Sequence, residues 1–307
     1  MSPPGRPKGE YRSAQHEGPP VSPPGRPKGE YRSAQHEGPP VSTPGCPVSA
    51  DPAAPDAERS RRMGRARRLG LVGCGRIGAP VLAAWRSGQL PGWEICSVLV
   101  RRARPGDDAL FTTDLDHFLS TTPELVVEVA GPSVLAAVGE AVLRRAPLWT
   151  TSPAALADDV LLQRLQAAGR DTGHRLRVLS GAMAGLDGVA AVTAAPHVAL
   201  SLNIELLPGP GAAQTRFVGS VREAAARFPH AVNVAVAAAL AGPGLDASRI
   251  EVRHPGPVAR NRLALRATSA AGSVEVEVQP ELGQGVHPVA CSVIAALRRE
   301  TLVVWVG

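Results

Sequence analysis

Residues 69–85 read LGLVGCGRIGAPVLAAW, and this stretch decides the fold. The apolar run Leu69–Val72 predicts a buried strand, and the apolar residues that recur at helical spacing after it predict a helix. Between them, Gly73, Gly75 and Gly78 form the pattern G-x-G-x-x-G. In a strand–turn–helix unit the first glycine allows the tight turn, the second lets a pyrophosphate approach the backbone, and the third lets helix and strand pack closely. The stretch predicts a dinucleotide-binding turn; the alternative is an ordinary tight turn.

Strands and helices alternate through the residues that follow this turn. Further strands are predicted at Trp93–Val100, Phe111–Thr113, Leu125–Ala130 and Leu148–Thr151, and helical segments at Asp114–Leu119 and Val134–Arg145. This alternation is typical of an α/β protein with a Rossmann-type doubly wound parallel sheet. Because such sheets bind ligands beyond the carboxyl ends of their strands, Gly73–Ile77, Ala130–Pro132 and Thr151–Pro153 are expected to line one crevice. Glu128 is unusual inside the fourth strand, since a buried carboxylate is costly; it is either paired in the crevice or exposed.

Two arginines, Arg101 and Arg102, follow the second predicted strand. A protein that selects NAD places Asp or Glu there, where the carboxylate accepts hydrogen bonds from the adenosine ribose. A carboxylate would repel a 2′-phosphate, whereas guanidinium groups pair with it. The arginines therefore favour NADP, or the use of both NADP and NAD. The alternative is that they are two solvated side chains in a loop.

Composition separates the first 67 residues from the rest of the chain. Residues 2–21 are repeated without change as residues 22–41, and 14 of the 30 prolines precede residue 56. Such a stretch buries too little apolar surface to offset its loss of conformational entropy, so residues 1–67 are expected to be a disordered tail. The alternative is a proline-rich ligand for an aromatic-grooved module. The tail carries +4 of the net charge of +6, which leaves the remaining residues nearly neutral.

Charge, hydropathy and cysteine content exclude several function classes. The nearly neutral body shows no cluster of basic and aromatic side chains typical of a nucleic-acid interface, so no nucleic-acid partner is expected. No uncharged apolar run reaches about 18 residues, so no membrane span is expected either. The cysteines, Cys46, Cys74, Cys96 and Cys291, are widely spaced with no C-x-x-C pair, which predicts neither a metal site nor a disulfide framework. A reducing, cytoplasmic location is the expectation.

Motifs along residues 68–300 resemble one enzyme family. In order they are VGCGRIG (72–78), PELVVEVAGP (123–132), TSPAALADD (151–159), LSGAMAGLDGVAA (179–191) and FPHAVNVAVAAALAGPGLD (228–246). Their order and spacing resemble the NAD(P)-dependent L-aspartate dehydrogenases, including the animal proteins named for that domain. The resemblance implies hydride transfer from the α-carbon of aspartate to the nicotinamide, which gives iminoaspartate for hydrolysis to oxaloacetate or for NAD biosynthesis. It also implies a small amino-acid substrate and a homodimer.

The resemblance carries cofactor and substrate roles to eight positions. The phosphate loop is matched by Gly73, Gly75, Arg76, Ile77 and Gly78. The nicotinamide side is matched by Ala130, and positions near the nicotinamide and the substrate are matched by Ala182 and Asn233. Asn233 also has a physical case of its own, because an amide at the start of the alanine-rich helix Val234–Leu240 can cap that helix and still donate to a carboxamide or carboxylate. The alternative is a plain N-cap.

The family's catalytic histidine is missing from its expected position. It lies in a stretch of the type D-P-x-x-x-x-N-x-H, which corresponds here to HPGPVARNRL, residues 254–263, with five residues instead of four between Pro255 and Asn261. Asn261 matches the asparagine, but Leu263 occupies the histidine position, and leucine cannot accept or donate a proton. His254 occupies the aspartate position and is the candidate catalytic residue; the alternative is an ordinary surface imidazole. Near the C-terminus, His287 replaces groups of the family's N-P-K-T-S segment that would cap the last helix.

Four segments are predicted along the chain. They are the tail (1–67), a dinucleotide-binding domain (68–180), an α+β substrate and dimerisation domain (181–285), and a C-terminal helix and strand (286–307) that pack back on the first domain. Antiparallel strands are expected in the second domain at Leu200–Leu207, Leu263–Thr268 and Val274–Val278, and the last helix is expected at Val289–Arg298.

Two functions from different classes remain open. One is an NAD(P)-dependent oxidoreductase that acts on aspartate or a related small amino acid. The other is a catalytically silent relative that binds a dinucleotide as a scaffold or sensor, and its motivation is Leu263 at the histidine position. Hydride transfer needs no protein nucleophile, because the coenzyme carries the chemistry, so the missing histidine does not by itself decide between them.

Overall fold

Two β-sheets with helices packed on them form the part of the chain that the structure describes. This computed structural model describes residues 65–103, 109–205, 216–253, 261–281 and 285–306. The predicted tail, apart from its last three residues, lies outside this part, and so does His254. None of the helices in the described ranges has the length and apolarity that a membrane crossing requires.

The first sheet contains six parallel strands in the order β3-β2-β1-β4-β5-β6. Its strands are β1 (Arg67–Val72), β2 (Trp93–Leu99), β3 (Phe111–Thr112), β4 (Leu125–Glu128), β5 (Leu148–Thr150) and β6 (Leu176–Val178). Between them lie α1 (Gly78–Arg86), α2 (Leu115–Ser120), α3 (Pro132–Leu143), a 3₁₀ helix (Pro153–Ala157) and α4 (Asp159–Thr172). The strand order reverses direction between β1 and β4, which confirms the predicted Rossmann-type fold.

The structure shifts some predicted boundaries and adds α4 and β6 to the predicted elements. The predicted fourth strand ends at Glu128 rather than Ala130, because the chain turns at Gly131, whose φ is 127°, before α3 begins. The start of α4 is marked by Asp158, whose carboxylate accepts the backbone N–H groups of Val160 and Leu161 at 2.9 and 3.3 Å. An aspartate before a helix is a recognised N-cap signal, so this helix was predictable.

The second sheet contains five strands in the order β11-β10-β7-β9-β8. Its elements are α5 (Leu186–Thr193), β7 (Ala199–Glu205), β8 (Arg216–Ser220), α6 (Val221–Arg227), α7 (Asn233–Ala241), β9 (Arg249–Arg253), β10 (Arg262–Ser269) and β11 (Gly272–Val278). Antiparallel strands were expected here, and β10 pairs antiparallel with both β7 and β11. However, β7 and β9 pair in parallel, so the sheet is mixed rather than purely antiparallel.

Burial alternates along the strands of the second sheet. In β7, Leu200, Leu202 and Ile204 are buried against the helices, whereas the residues between them are exposed. This period of two is the pattern of a sheet with one covered face. The opposite face carries arginine–glutamate pairs such as Arg262–Glu277 at 2.7 Å.

The last helix, α8 (Pro288–Arg299), returns to the first sheet and packs beside α1. The indole Nε1 of Trp93, at the start of β2, donates to the carbonyl oxygen of Leu297 at 2.8 Å. Arg67, at the start of β1, pairs with Glu300 at 3.5 Å. The end of α8 therefore lies at the amino-terminal edge of the sheet, and its first turn lies toward the carboxyl edge. No strand follows α8 in the described residues up to 306, contrary to the predicted C-terminal strand.

Replacing Trp93 by phenylalanine is expected to lower the free energy of unfolding by about 1–2 kcal/mol, because the buried carbonyl of Leu297 loses its indole donor. Chemical denaturation followed by circular dichroism measures the change. Trp305→Phe is the matched control. It is expected to leave the free energy of unfolding unchanged, because Trp305 is 52% exposed. Equal unfolding free energies for Trp93→Phe and the wild type would contradict this role of the bond.

Candidate functional site

The turn between β1 and α1 is shaped by three glycines under different constraints. Gly73 has a φ of 99°, and a Cβ there would lie 2.7 Å from the Cβ of Ala130. A Cβ on Gly78 would lie 2.0 Å from the carbonyl oxygen of Gly73, so any side chain there would displace backbone. A Cβ on Gly75 would meet nothing within 4 Å. The turn is therefore packed tightly against the protein on one side and open on the other, where a pyrophosphate can approach.

A cavity of about 990 Å³ opens at this turn. Its volume lies within the range of small-molecule and cofactor sites, about 300–1,000 Å³. The predicted residues that line it are Gly73, Gly75, Arg76, Ile77, Arg101, Arg102 and Ala130. Cys74, which belongs to the predicted phosphate turn Gly73–Ile77, lines it too, and so does Ser133, for which no role was predicted. Gly78 is buried behind the turn, where it permits the close contact rather than facing the cavity.

The other two predicted cofactor residues lie toward the second sheet. Ala182, in the turn after β6, packs against the apolar cluster that the second sheet and its helices enclose. The amide oxygen of Asn233 accepts the backbone N–H of Ala154, in the 3₁₀ helix, at 3.0 Å. The predicted cap is wrong, because α7 begins at Asn233 itself and Val232 occupies the cap position. This bond occupies the amide oxygen; the amide nitrogen of Asn233 is a donor.

Glu128 is fully buried at the carboxyl end of β4 and is paired, which settles the question that the sequence left open. Its Oε1 accepts the backbone N–H groups of Ala130 and Gly131 at 2.7 and 2.8 Å. The hydroxyl of Ser152 also donates to Oε1, at 3.1 Å, and the hydroxyl of Thr150 donates to Oε2 at 2.5 Å. One carboxylate thus joins the turns that follow β4 and β5, at the edge where the crevice was predicted.

The pKa of Glu128 is raised from its ordinary value, chiefly because burial disfavours the charged form. The hydrogen bonds from Thr150, Gly131, Ser152 and Ala130 oppose this rise, since they stabilise the carboxylate. Because the folded-state pKa is raised, ionisation of Glu128 favours unfolding at pH values above its ordinary pKa.

The structure offers no acid–base group at the position of the family's catalytic histidine. Leu263 is 5% exposed and pairs across the sheet with Ile204 and Val278. Its side chain belongs to the same apolar cluster as Met183. Asn261, the matched asparagine, is buried just before β10.

His287 lies at the start of α8 and caps it. Its Nδ1 accepts the backbone N–H of Val289 at 3.2 Å, so His287 itself caps the helix in place of the family's capping groups. The pKa of His287 is lowered, first by burial and then by the positive charge of Arg76. Val289 also lies 3.9 Å from where a Cβ of Gly181 would be. The first turn of α8 is therefore near both the phosphate turn and the turn after β6.

No group of three or more His, Cys, Asp or Glu side chains that could hold a metal ion occurs in the described ranges.

Comparison with known proteins gives the family. Residues 73–179 match the family model described as homoserine dehydrogenase, NAD binding domain, and residues 178–300 match the model described as aspartate dehydrogenase, C-terminal. L-aspartate dehydrogenase 2 of Bordetella bronchiseptica is 33% identical over 257 residues, which are 76% of this chain and 96% of that protein. The chain belongs to the L-aspartate dehydrogenase family.

A further relative supports this membership, and a solved structure shares the fold. The L-aspartate dehydrogenase of Serratia proteamaculans is 34% identical over 69% of this chain and 87% of its own length. The crystal structure of aspartate dehydrogenase from Thermotoga maritima shares the fold, with a TM-score of 0.67 at 22% identity over 79% of this chain and 100% of that chain. Membership confirms the predicted resemblance and supports an NAD(P)-dependent dehydrogenase with a nicotinamide coenzyme. The glycine turn and its open cavity fit such a coenzyme.

Two substitutions in the glycine turn are expected to separate coenzyme binding from stability. Gly75→Val puts a side chain into the open side of the turn, so the Kd for the coenzyme is expected to rise about tenfold or more. The free energy of unfolding of this variant is expected to stay unchanged. Gly78→Ala forces a Cβ against the Gly73 carbonyl and is expected to lower the free energy of unfolding by about 1–3 kcal/mol. Calorimetric titration and thermal unfolding of both variants measure these effects. Undiminished coenzyme binding by Gly75→Val would contradict the assignment of the open side.

Proposed function

We propose that the protein is an oxidoreductase that transfers a hydride between L-aspartate, or a related small amino acid, and NADP or NAD. The observation that carries the proposal is the cavity at the glycine turn, in a chain whose residues 178–300 match the aspartate dehydrogenase C-terminal model. Oxidation of aspartate would give iminoaspartate, which hydrolyses to oxaloacetate or serves NAD biosynthesis.

Residues on both sides of the crevice receive roles in this proposal. Backbone amides at Gly75 and Arg76 bind the diphosphate, and Arg101 binds the adenosine 2′-phosphate together with Arg102. The bound coenzyme supplies the hydride acceptor. Asn233 donates from its amide nitrogen to the substrate carboxylate or the nicotinamide carboxamide, since its amide oxygen is already held by Ala154.

Proton transfer needs a side chain that can accept and donate a proton. His254 is the proposed catalytic residue, and it lies outside the described residues. Leu263 is buried among apolar side chains and supplies no proton acceptor. Loss of general acid–base assistance alone costs about 10²–10⁴-fold in rate, so turnover slower than that of the family's enzymes is proposed. The same observation favours the second candidate, a silent relative that binds a dinucleotide as a scaffold or sensor.

The remaining assignments follow the family resemblance. We propose a cytoplasmic homodimer in which residues 68–180 bind the coenzyme and residues 181–285 bind the amino acid. The 3₁₀ helix joins these parts, because Arg222 of α6 donates to the carbonyl oxygen of Ala157 at 2.7 Å. Arg222 also donates to the carboxylate of Asp246 at 2.6 and 2.9 Å.

The purified full chain is expected to reduce NADP or NAD in the presence of L-aspartate, because hydride transfer needs orientation rather than a protein nucleophile. Absorbance of the reduced coenzyme measures turnover, with D-aspartate and L-alanine as control substrates. If the protein binds a coenzyme but turns over none of the small amino acids, the proposed oxidoreductase activity is contradicted. That result would favour the catalytically silent relative. Activity in the Leu263→His variant would then show that the leucine at position 263 causes the loss of catalysis.

Arg101→Asp is expected to shift coenzyme preference from NADP toward NAD by about tenfold or more, because it replaces a charge-assisted partner of the 2′-phosphate by a repelling carboxylate. The ratio of the Kd values for the two coenzymes measures the shift. Arg145→Asp is the matched control, since Arg145 is an exposed residue in the turn before β5 and does not line the cavity. An unchanged ratio in Arg101→Asp would show that Arg101 does not contact the phosphate.

A further inference from the structure

Glu128 carries a fully buried carboxylate to which the proposed reaction assigns no role. Four groups donate hydrogen bonds to it: the backbone amides of Ala130 and Gly131 and the hydroxyls of Thr150 and Ser152. The hydroxyl of Thr150 is itself oriented, because its oxygen accepts the backbone N–H of Ser152 at 2.9 Å. An ionised carboxylate accepts hydrogen bonds and donates none, so these four donors stabilise the charged form against the burial that disfavours it.

The negative charge of Glu128 is not matched by a cation among these partners. In the sheet, Glu128 lies between Val72 of β1 and Thr150 of β5, and neither of these residues titrates. The turns after β4 and β5 contribute only the backbone amides and the hydroxyl described above. A charge held by neutral donors keeps its electrostatic effect on neighbouring ligands, and it acts more strongly in a protein interior than in water.

The carboxylate lies directly behind the wall of the coenzyme cavity. Its Oε1 is 2.7 Å from the backbone nitrogen of Ala130, and Ala130 lines that cavity. The resemblance places the nicotinamide on this side. The oxidised nicotinamide ring carries a positive charge, whereas the reduced ring is neutral, so a nearby fixed anion interacts differently with the two forms.

We propose that Glu128 is a positioning residue whose buried charge makes the site bind the oxidised coenzyme more tightly than the reduced coenzyme. The inference rests on the proposed function, because it takes the nicotinamide to lie beside Ala130. Tighter binding of the oxidised form favours the side of the bound equilibrium that contains the amino acid and the oxidised coenzyme. Glu128 thereby shifts the equilibrium between the enzyme-bound states without contacting the substrate.

Glu128→Gln tests this role with little change of shape. The glutamine oxygen can still accept from Ala130 and Gly131, and its amide nitrogen can donate to the hydroxyl oxygen of Thr150. The Kd values of the full chain for oxidised and reduced NADP, and for oxidised and reduced NAD, are measured by calorimetric titration without substrate. The affinity ratio of oxidised to reduced coenzyme is expected to fall about tenfold in the variant.

Ser152→Ala is the matched control. It removes a hydroxyl that donates to the carboxylate at 3.1 Å but keeps the charge. If it loosens the turn, the affinities for both coenzyme forms are expected to change together, so that their ratio at pH 8 stays as in the wild type. Thermal unfolding of each variant shows that the comparison is made on folded protein.

The wild type provides a second test that needs no variant. Burial raises the pKa of Glu128, so its charge is lost as the pH falls through that raised value. The affinity ratio of the wild type is expected to fall with decreasing pH, and that of Glu128→Gln is expected to stay level. If the protein binds the coenzyme but neither Glu128→Gln nor pH changes the affinity ratio of oxidised to reduced coenzyme, the inference about Glu128 is overturned. The proposed function is not affected by that result. Absence of binding of either coenzyme overturns the proposed function, and the inference with it.

Discussion

The close contact between α1 and the end of β1 is the constraint on which the site depends. Because position 78 has no Cβ, the first turn of α1 comes within van der Waals distance of the Gly73 carbonyl. This approach directs the amino-terminal end of the helix toward the open cavity, where its backbone amides and the helix dipole favour an anionic ligand. A residue larger than glycine at position 78 would push the helix away and change the cavity wall.

A second constraint ties the coenzyme edge to the second sheet. Glu128 joins the turns after β4 and β5 through its bonds to Ala130 and Ser152. Two residues after Ser152, the backbone of Ala154 donates to Asn233 at the start of α7. The wall of the coenzyme cavity is therefore linked to a proposed substrate residue through a short stretch of backbone. This arrangement suits a reaction that must align two bound molecules, because misplacement of either reactant lowers the rate.

The sequence predicted the parts of the fold that local patterns encode. The glycine turn, the buried strands of the first sheet and the strand pair β10–β11 all have clear periodicity or turn residues. Less was predictable where the determining contacts are distant. The parallel pairing of β7 with β9 depends on tertiary packing, and β6 is only three residues long and contains Arg177. The sequence could not show that Glu128 is paired, because its partners Thr150 and Ser152 lie more than 20 residues away.

A crystal structure of the full chain with bound oxidised NADP would show which backbone groups contact the diphosphate. Diphosphate oxygens are expected within hydrogen-bond distance of the amides at Gly75 and Arg76, with the nicotinamide beside Ala130. A coenzyme bound elsewhere, with the open side of this turn filled by a neighbouring side chain, would contradict this expectation.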